Sequence, residues 1–165
     1  MNMNTNEEVM LTQEGYELKK KKLEEYRHIL HEELPKKLKM AKEHGAELRE
    51  NKEYLDLKSQ QDFYEAEVRR LEELLEKAKI IDSDQISTKA VGIGARVILK
   101  NKARSETATF ELVGPAEVDL EQGKISTTSP LGKALMGHRK GEEVVVETPK
   151  GIIKYKILGI ERGGR

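Results

Sequence analysis

Between Thr12 and Ala78 the apolar residues fall into two narrow stripes at helical spacing, and few folds can bury such a pattern. The first stripe runs Tyr16, Leu23, Tyr26, Leu30, Leu34, Leu38, Ala41, in steps of 7, 3, 4, 4, 4 and 3 residues. The second runs Leu57, Tyr64, Val68, Leu71, Leu75, Ala78, in steps of 7, 4, 3, 4 and 3, which is a coiled-coil seam. Lys, Arg and Glu flank both stripes, so neither helix can be buried all round and each needs a single apolar partner. The nearest partner is the other helix. Gly45 stands between them, where glycine can supply the left-handed residue that closes a helix, and a short connection makes the two helices antiparallel. At 1.5 Å per residue, helices of roughly 30 residues reach about 45 Å, a thin rod with a tight tip at residues 45–50. Pro35 lies inside the first stripe and is predicted to kink or locally break that helix.

The composition changes after this region. Residues 1–80 carry 35 charged side chains and two glycines, whereas residues 81–165 carry 25 charges and eleven glycines. The second half therefore has the punctuation of short strands and turns. Val- and Ile-rich runs at Ala95–Lys100, Thr107–Val113, Lys124–Thr127, Glu143–Thr148 and Ile152–Ile160 predict strands. Ser129 followed by Pro130 predicts a short helix ending at Gly137. The reading is an α+β chain: a flexible segment over 1–10, an antiparallel helical hairpin over 11–82, and a small antiparallel β domain with one short helix over 83–165. The boundary falls near Asp82–Thr88, where Asp-Ser-Asp and Ser-Thr interrupt the helical pattern.

Several function classes are excluded at this stage. With no cysteine, the chain has no disulfide framework, thiolate metal site or cysteine nucleophile. Thirty basic residues balance thirty acidic ones, so any preference for nucleic acid must come from local patches. No apolar run is long enough to span a membrane and no signal pattern is present, which predicts a soluble, cytoplasmic protein with no membrane partner. The run Lys19–Lys22 reads as a solvated face, because Glu24 and Glu25 follow at once.

The tip sequence Ala41-Lys42-Glu43-His44-Gly45-Ala46-Glu47-Leu48-Arg49-Glu50-Asn51-Lys52-Glu53-Tyr54 is similar to the signature of the Gre transcript-cleavage factors. There, Glu-His-Gly, an acid, Leu, Glu-Asn and Glu-Tyr follow in order. A second stretch, Ile125-Ser126-Thr127-Thr128-Ser129-Pro130-Leu131-Gly132-Lys133-Ala134-Leu135-Met136-Gly137, resembles the C-terminal domain of the same family, whose fold is FKBP-like. The resemblance covers residues 10–162. It implies a bacterial transcription elongation factor of the GreA type whose coiled coil enters the secondary channel of RNA polymerase. The tip acids would help hold a Mg²⁺ shared with the polymerase, and the polymerase's own active site would cut the backtracked RNA. On that reading the chain is no enzyme itself, binds no cofactor tightly, is a monomer when free, and has bacterial RNA polymerase and the nascent RNA 3′ end as partners.

Carried over residue by residue, the resemblance makes Glu47 and Glu50 the metal-assisting acids, in a role supportive of catalysis. Lys42 and Lys58 become RNA contacts, and Gly45, Asn51, Glu53 and Tyr54 shape the tip. The chemistry is consistent, since Mg²⁺ keeps several waters and takes only one or two carboxylates from a partner. Glu47 and Glu50, three apart, are expected on one face at the start of the second helix. Simpler readings stand beside these. Acids in a first helical turn are favoured by its dipole, Lys42 and Lys58 could be solvated, and His44 near a helix C-terminus suits the open carbonyls there better than a metal. The family pattern places Asp directly after the glycine, whereas this chain inserts Ala46 and supplies Glu47. That change motivates an alternative, a channel-binding regulator or inhibitor of polymerase without cleavage activity. A prolyl isomerase is a further reading of an FKBP-like fold, but residues 83–165 hold only Phe110 and Tyr155 to line an aromatic pocket.

Overall fold

The computed structural model describes residues 9–44, 47 and 50–163. They form two compact units: Glu17–Lys77, and the described residues on either side of it. The chain begins with β1 (Met10–Thr12), α1 (Gln13–His28), a π turn (Ile29–Glu33), α2 (Leu34–His44) and α3 (Lys52–Lys77). There follow β2 (Lys79–Ile81), β3 (Ala95–Asn101), β4 (Thr107–Val113), β5 (Lys124–Ser126), α4 (Pro130–Leu135), β6 (Glu143–Thr148) and β7 (Gly151–Arg162).

In the helical unit the two stripes meet. Leu23, Leu30, Leu34, Leu38 and Ala41 pack against Leu57, Val68 and Leu71, with Tyr26, Ile29, Tyr54, Tyr64 and Leu75 half-buried around them. The antiparallel sense is fixed at both ends. Arg27 pairs with Glu72 at 2.7 Å, Tyr26 meets Tyr64 edge to face at 5.1 Å, and Asn51 reaches Ala41. Each fully buried leucine contributes about 1.5–3 kcal/mol, so this one seam supplies most of what holds the hairpin.

The expected disturbance at Pro35 takes a specific form. Leu34 N–H donates to Ile29 O, an i→i+5 bond, so the chain widens into one π turn just ahead of the proline. The extra residue keeps the seam aligned. Tyr26, Leu30, Leu34 and Leu38 are spaced by fours, and at 3.6 residues per turn three such steps drift by roughly 120° around a regular helix. The π insertion absorbs that drift, and helix α2 continues.

The second unit is a five-stranded sheet in the order β5-β4-β3-β7-β6. One face is buried under α4 by Val97, Leu99, Leu112, Ile125, Leu135, Val144 and Ile157. All five predicted strands are present, but the sheet is not antiparallel throughout. β4 and β5 run parallel, because the stretch between them turns back through a short 3₁₀ segment at Pro115–Glu117 before β5 enters the sheet. Helix α4 starts as predicted: Ser129 Oγ accepts from Gly132 N–H at 3.1 Å and donates to Ser126 O at 2.6 Å. Gly132 is required there, since a Cβ would lie 2.0 Å from Ser126 O.

Two short strands have no signal in the sequence pattern. β1 and β2 pair in parallel, Leu11 with Ile80, and both belong to the β-rich unit. The helical unit thus ends at Lys77, ahead of the Asp82–Thr88 interruption. The proposed flexibility of residues 1–10 concerns mostly residues outside those described. Where α1 begins, Thr12 caps it: Oγ1 accepts from Gly15 N–H at 3.0 Å. Buried Glu117 then accepts from the Thr12 hydroxyl at 2.7 Å and from the Thr12 N–H at 3.0 Å.

Candidate functional site at the hairpin tip

The tip is built from the end of α2, a tight turn and the start of α3. Glu47 O accepts from both Glu50 N–H and Asn51 N–H at 3.1 Å, which closes the turn. Asn51 then does two things with one amide. Its Oδ1 accepts from Tyr54 N–H at 3.1 Å, the N-cap of α3. Its Nδ2 donates to Ala41 O at 2.8 Å, an open carbonyl in the last turn of α2. A single side chain therefore ties the exit of one helix to the entry of the next.

Glu47 and Glu50 are both exposed, but they do not stand on the first turn of a helix as their spacing suggested. Helix α3 starts at Lys52. Asn51 is the stronger capping residue, so the helix begins after it and leaves both acids in the preceding turn. Glu53 is exposed in the first turn of α3, with its Oε2 4.0 Å from His44 Nδ1. His44 thus faces a carboxylate across the two helix ends. Gly45 and the inserted Ala46 lie outside the described residues.

Tyr54 is half-buried, and Lys42 Nζ sits 5.7 Å from its ring centroid, a cation–π distance. Both line a shallow groove of about 340 Å³ on the hairpin flank, together with Pro35, Leu38, Lys39, Lys58 and Gln61. Lys58 donates to Gln61 Oε1 at 2.8 Å. The structure thus brings Lys42 and Lys58, from different helices, to one groove beside Tyr54. It adds Lys39, which sequence reasoning passed over. Its signal was present: Lys39 lies three residues before Lys42 and so shares its helix face. Such a groove offers three ammonium groups beside one aromatic ring to an anionic ligand.

Among the described residues no group of three or more His, Asp or Glu side chains could hold a metal ion. Phe110 and Tyr155, the two aromatics of the C-terminal unit, pack against its core. They do not form the aromatic-lined pocket an isomerase reading requires. Among the described residues no helix is long and apolar enough to cross a membrane.

Residues 9–80 match the family described as "Transcription elongation factor, N-terminal", and residues 86–162 match "Transcription elongation factor, GreA/GreB, C-term". The chain belongs to the GreA/GreB family. It is 40% identical over 155 residues to the transcription elongation factor GreA of Syntrophomonas wolfei, covering 94% of this chain and 97% of that one. It is 39% identical over 160 residues to GreA of Acetivibrio thermocellus, covering 97% and 100%. Among solved structures, the GreA factor homolog 1 (Gfh1) protein of Thermus thermophilus is 32% identical, with 93% and 99% covered and a TM-score of 0.42. The protein is thus a Gre-family elongation factor, with a helical hairpin and a C-terminal β unit, and the acids, the capping asparagine and the lysine groove all lie at one end of the hairpin.

Proposed function

We propose that this Gre-family protein rescues backtracked bacterial RNA polymerase. Its hairpin enters the secondary channel, and Glu47 and Glu50 support the polymerase's own cleavage of the extruded RNA 3′ end. The observation that carries this reading is the tip turn, in which two exposed carboxylates precede a cap that bridges both helices. Among the described residues no third ligand joins these acids in a metal-holding group, and two carboxylates suit a Mg²⁺ held jointly with a larger enzyme while making a poor site alone. Glu47 and Glu50 would complete the oxygen shell of that shared ion from the factor's side. When bound, Mg²⁺ supplies Lewis acidity toward the attacking water and the departing oxygen. Lys39, Lys42 and Lys58 would take phosphates of the extruded RNA, since lysine acts on phosphate as a point charge. Bond cleavage remains the polymerase's chemistry, so the factor is an accessory and not itself the nuclease.

The test is short-RNA release from a stalled, backtracked complex across a Mg²⁺ titration. Wild-type protein should raise the release and lower the Mg²⁺ required, and Glu47→Ala and Glu50→Ala should each remove most of that gain. Lys39→Gln combined with Lys42→Gln and Lys58→Gln should weaken the effect with both acids intact. Unchanged release with wild-type protein added would refute cleavage support. If transcription in the same reactions were slowed, the protein would instead be a channel-binding regulator.

A further inference from the structure

Glu117 is a buried carboxylate in a loop of the β-rich unit, and the tip chemistry makes no use of it. Both its oxygens accept hydrogen bonds from Thr12: Oε2 from the backbone N–H at 3.0 Å and Oε1 from the hydroxyl at 2.7 Å. Thr12 is itself buried, and its Oγ1 accepts from Gly15 N–H to start α1. Gly15 leaves room for this approach, since a Cβ there would collide with the Glu117 carboxyl. Buried Lys124 of β5 adds a second tie, its Nζ 3.9 Å from Glu14 Oε2 in the same first turn. Residues up to Tyr16 belong to the β-rich unit, so this turn of α1 is held there before the helix continues.

Stability alone does not call for such an arrangement. Thr12 would cap α1 without help, glycine inside a helix is destabilising relative to alanine, and a buried polar pair can be exchanged for apolar groups of the same shape at little cost. What the carboxylate adds is direction, because bonds to both the N–H and the hydroxyl of one residue fix that residue's orientation. Direction matters because the chain is helical from Gln13 to His44, a reach of about 45 Å. Over that length a turn of about 1° at the start moves the far end by about 0.8 Å.

We propose that Glu117 is a positioning residue for the tip: by holding Thr12 it fixes how α1 begins, and through that helix where Glu47 and Glu50 are delivered. This role rests on the cleavage reading above and adds to it a residue far along the chain from the tip.

The test is RNA release from a stalled, backtracked complex over a range of concentrations of the full chain, which gives a plateau and a half-effect concentration. Glu117→Gln keeps the shape and one acceptor; its plateau should fall by about 10-fold at an unchanged half-effect concentration, since about 1 Å of displacement costs on the order of 10²-fold. Glu117→Ala and Thr12→Val should fall at least as far, and Thr12→Ser, which keeps the hydroxyl, should match wild type. Hydrogen exchange at the Gly15 amide should speed up by about 2- to 30-fold in Thr12→Val and Glu117→Ala. A merely structural role predicts the opposite split, because a smaller folded fraction raises the half-effect concentration and leaves the plateau. That result overturns the proposal, as do plateaus within twofold of wild type in both Glu117 variants. Absence of release with wild-type protein sinks the cleavage reading alone; the same plateau is then read on slowing of transcription, where Glu117→Gln must lower it likewise.

Discussion

Asn51→Ala removes two hydrogen bonds at once, and their separate magnitudes can be worked out. Loss of the N-cap acceptor for Tyr54 N–H costs about 0.5–2 kcal/mol. Leaving Ala41 O without its donor costs about 1 kcal/mol, since Ala41 is fully buried and water reaches its surroundings poorly. The sum, about 1.5–3 kcal/mol, falls on the tip and not on the seam, whose nearest fully buried leucine is Leu34. At 1.4 kcal/mol per tenfold, hydrogen exchange at the Tyr54 and Leu55 amides should speed up by about 10- to 150-fold. Leu55 is included because its N–H makes the first helical bond, to Asn51 O at 3.0 Å. Amides around Leu71 should keep their protection. Asn51→Asp separates the two roles: it keeps the cap acceptor, so Tyr54 stays protected, but it loses the donor to Ala41 O. Cleavage support should fall in both variants, because a displacement of about 1 Å can cost on the order of 10²-fold in an oriented reaction. Tyr54 and Leu55 exchange in Asn51→Ala within twofold of wild type would refute the view that this side chain organises the tip.

Further outcomes are specific to other parts of the fold. Leu71→Ala removes a fully buried seam residue and should lower stability by about 2–5 kcal/mol, read as a drop in the urea midpoint. Gly132→Ala should destabilise the C-terminal unit with the hairpin intact, since its methyl would lie 2.0 Å from Ser126 O; near- and far-ultraviolet circular dichroism melts distinguish the two. The hydrogen bond from Arg70 holds the Glu67 carboxyl below the usual carboxylate range. A depressed carboxylate contributes stability above its unfolded pKa and loses it as pH falls through the lower folded value. The urea midpoints of wild type and Glu67→Gln should therefore differ slightly at neutral pH, by about 0.3–0.5 kcal/mol for an exposed helix pair, and converge in acid. Lys100→Gln relieves a directly opposed like-charge pair and should hold or raise the melting temperature, by about 0.2–1 kcal/mol of stability.

Much of the hairpin was legible because its information is periodic. The buried residues of the seam, from Leu23 to Ala41 and from Leu57 to Leu71, are the ones the two stripes picked out. Even the π turn left a trace in the three successive steps of four before Leu38, although Pro35 alone drew notice. The strands and the Ser129 cap of α4 were equally readable, because turn and cap chemistry acts within a few residues. The tip was only half legible. Spacing placed Glu47 and Glu50 together at the end of the hairpin, but it put them on a helix, and the competition among capping residues was decided in favour of Asn51.

What the amino-acid order determined by itself was every feature whose partners lie within a turn or a repeat: the stripes, the caps, the strand runs and the family signature at the tip. Only the tertiary structure decided the rest. It set Lys42 and Lys58 in one groove with Lys39 and Tyr54, turned β5 parallel to β4, and faced Lys100 with Lys156. It also joined Thr12 to Glu117 across 105 residues of chain. The physical reason is that periodicity and capping free energies depend on near neighbours along the chain. Which distant side chains meet depends on strand order, register and the angle at which loops return, and those are settled only when the whole core is buried at once.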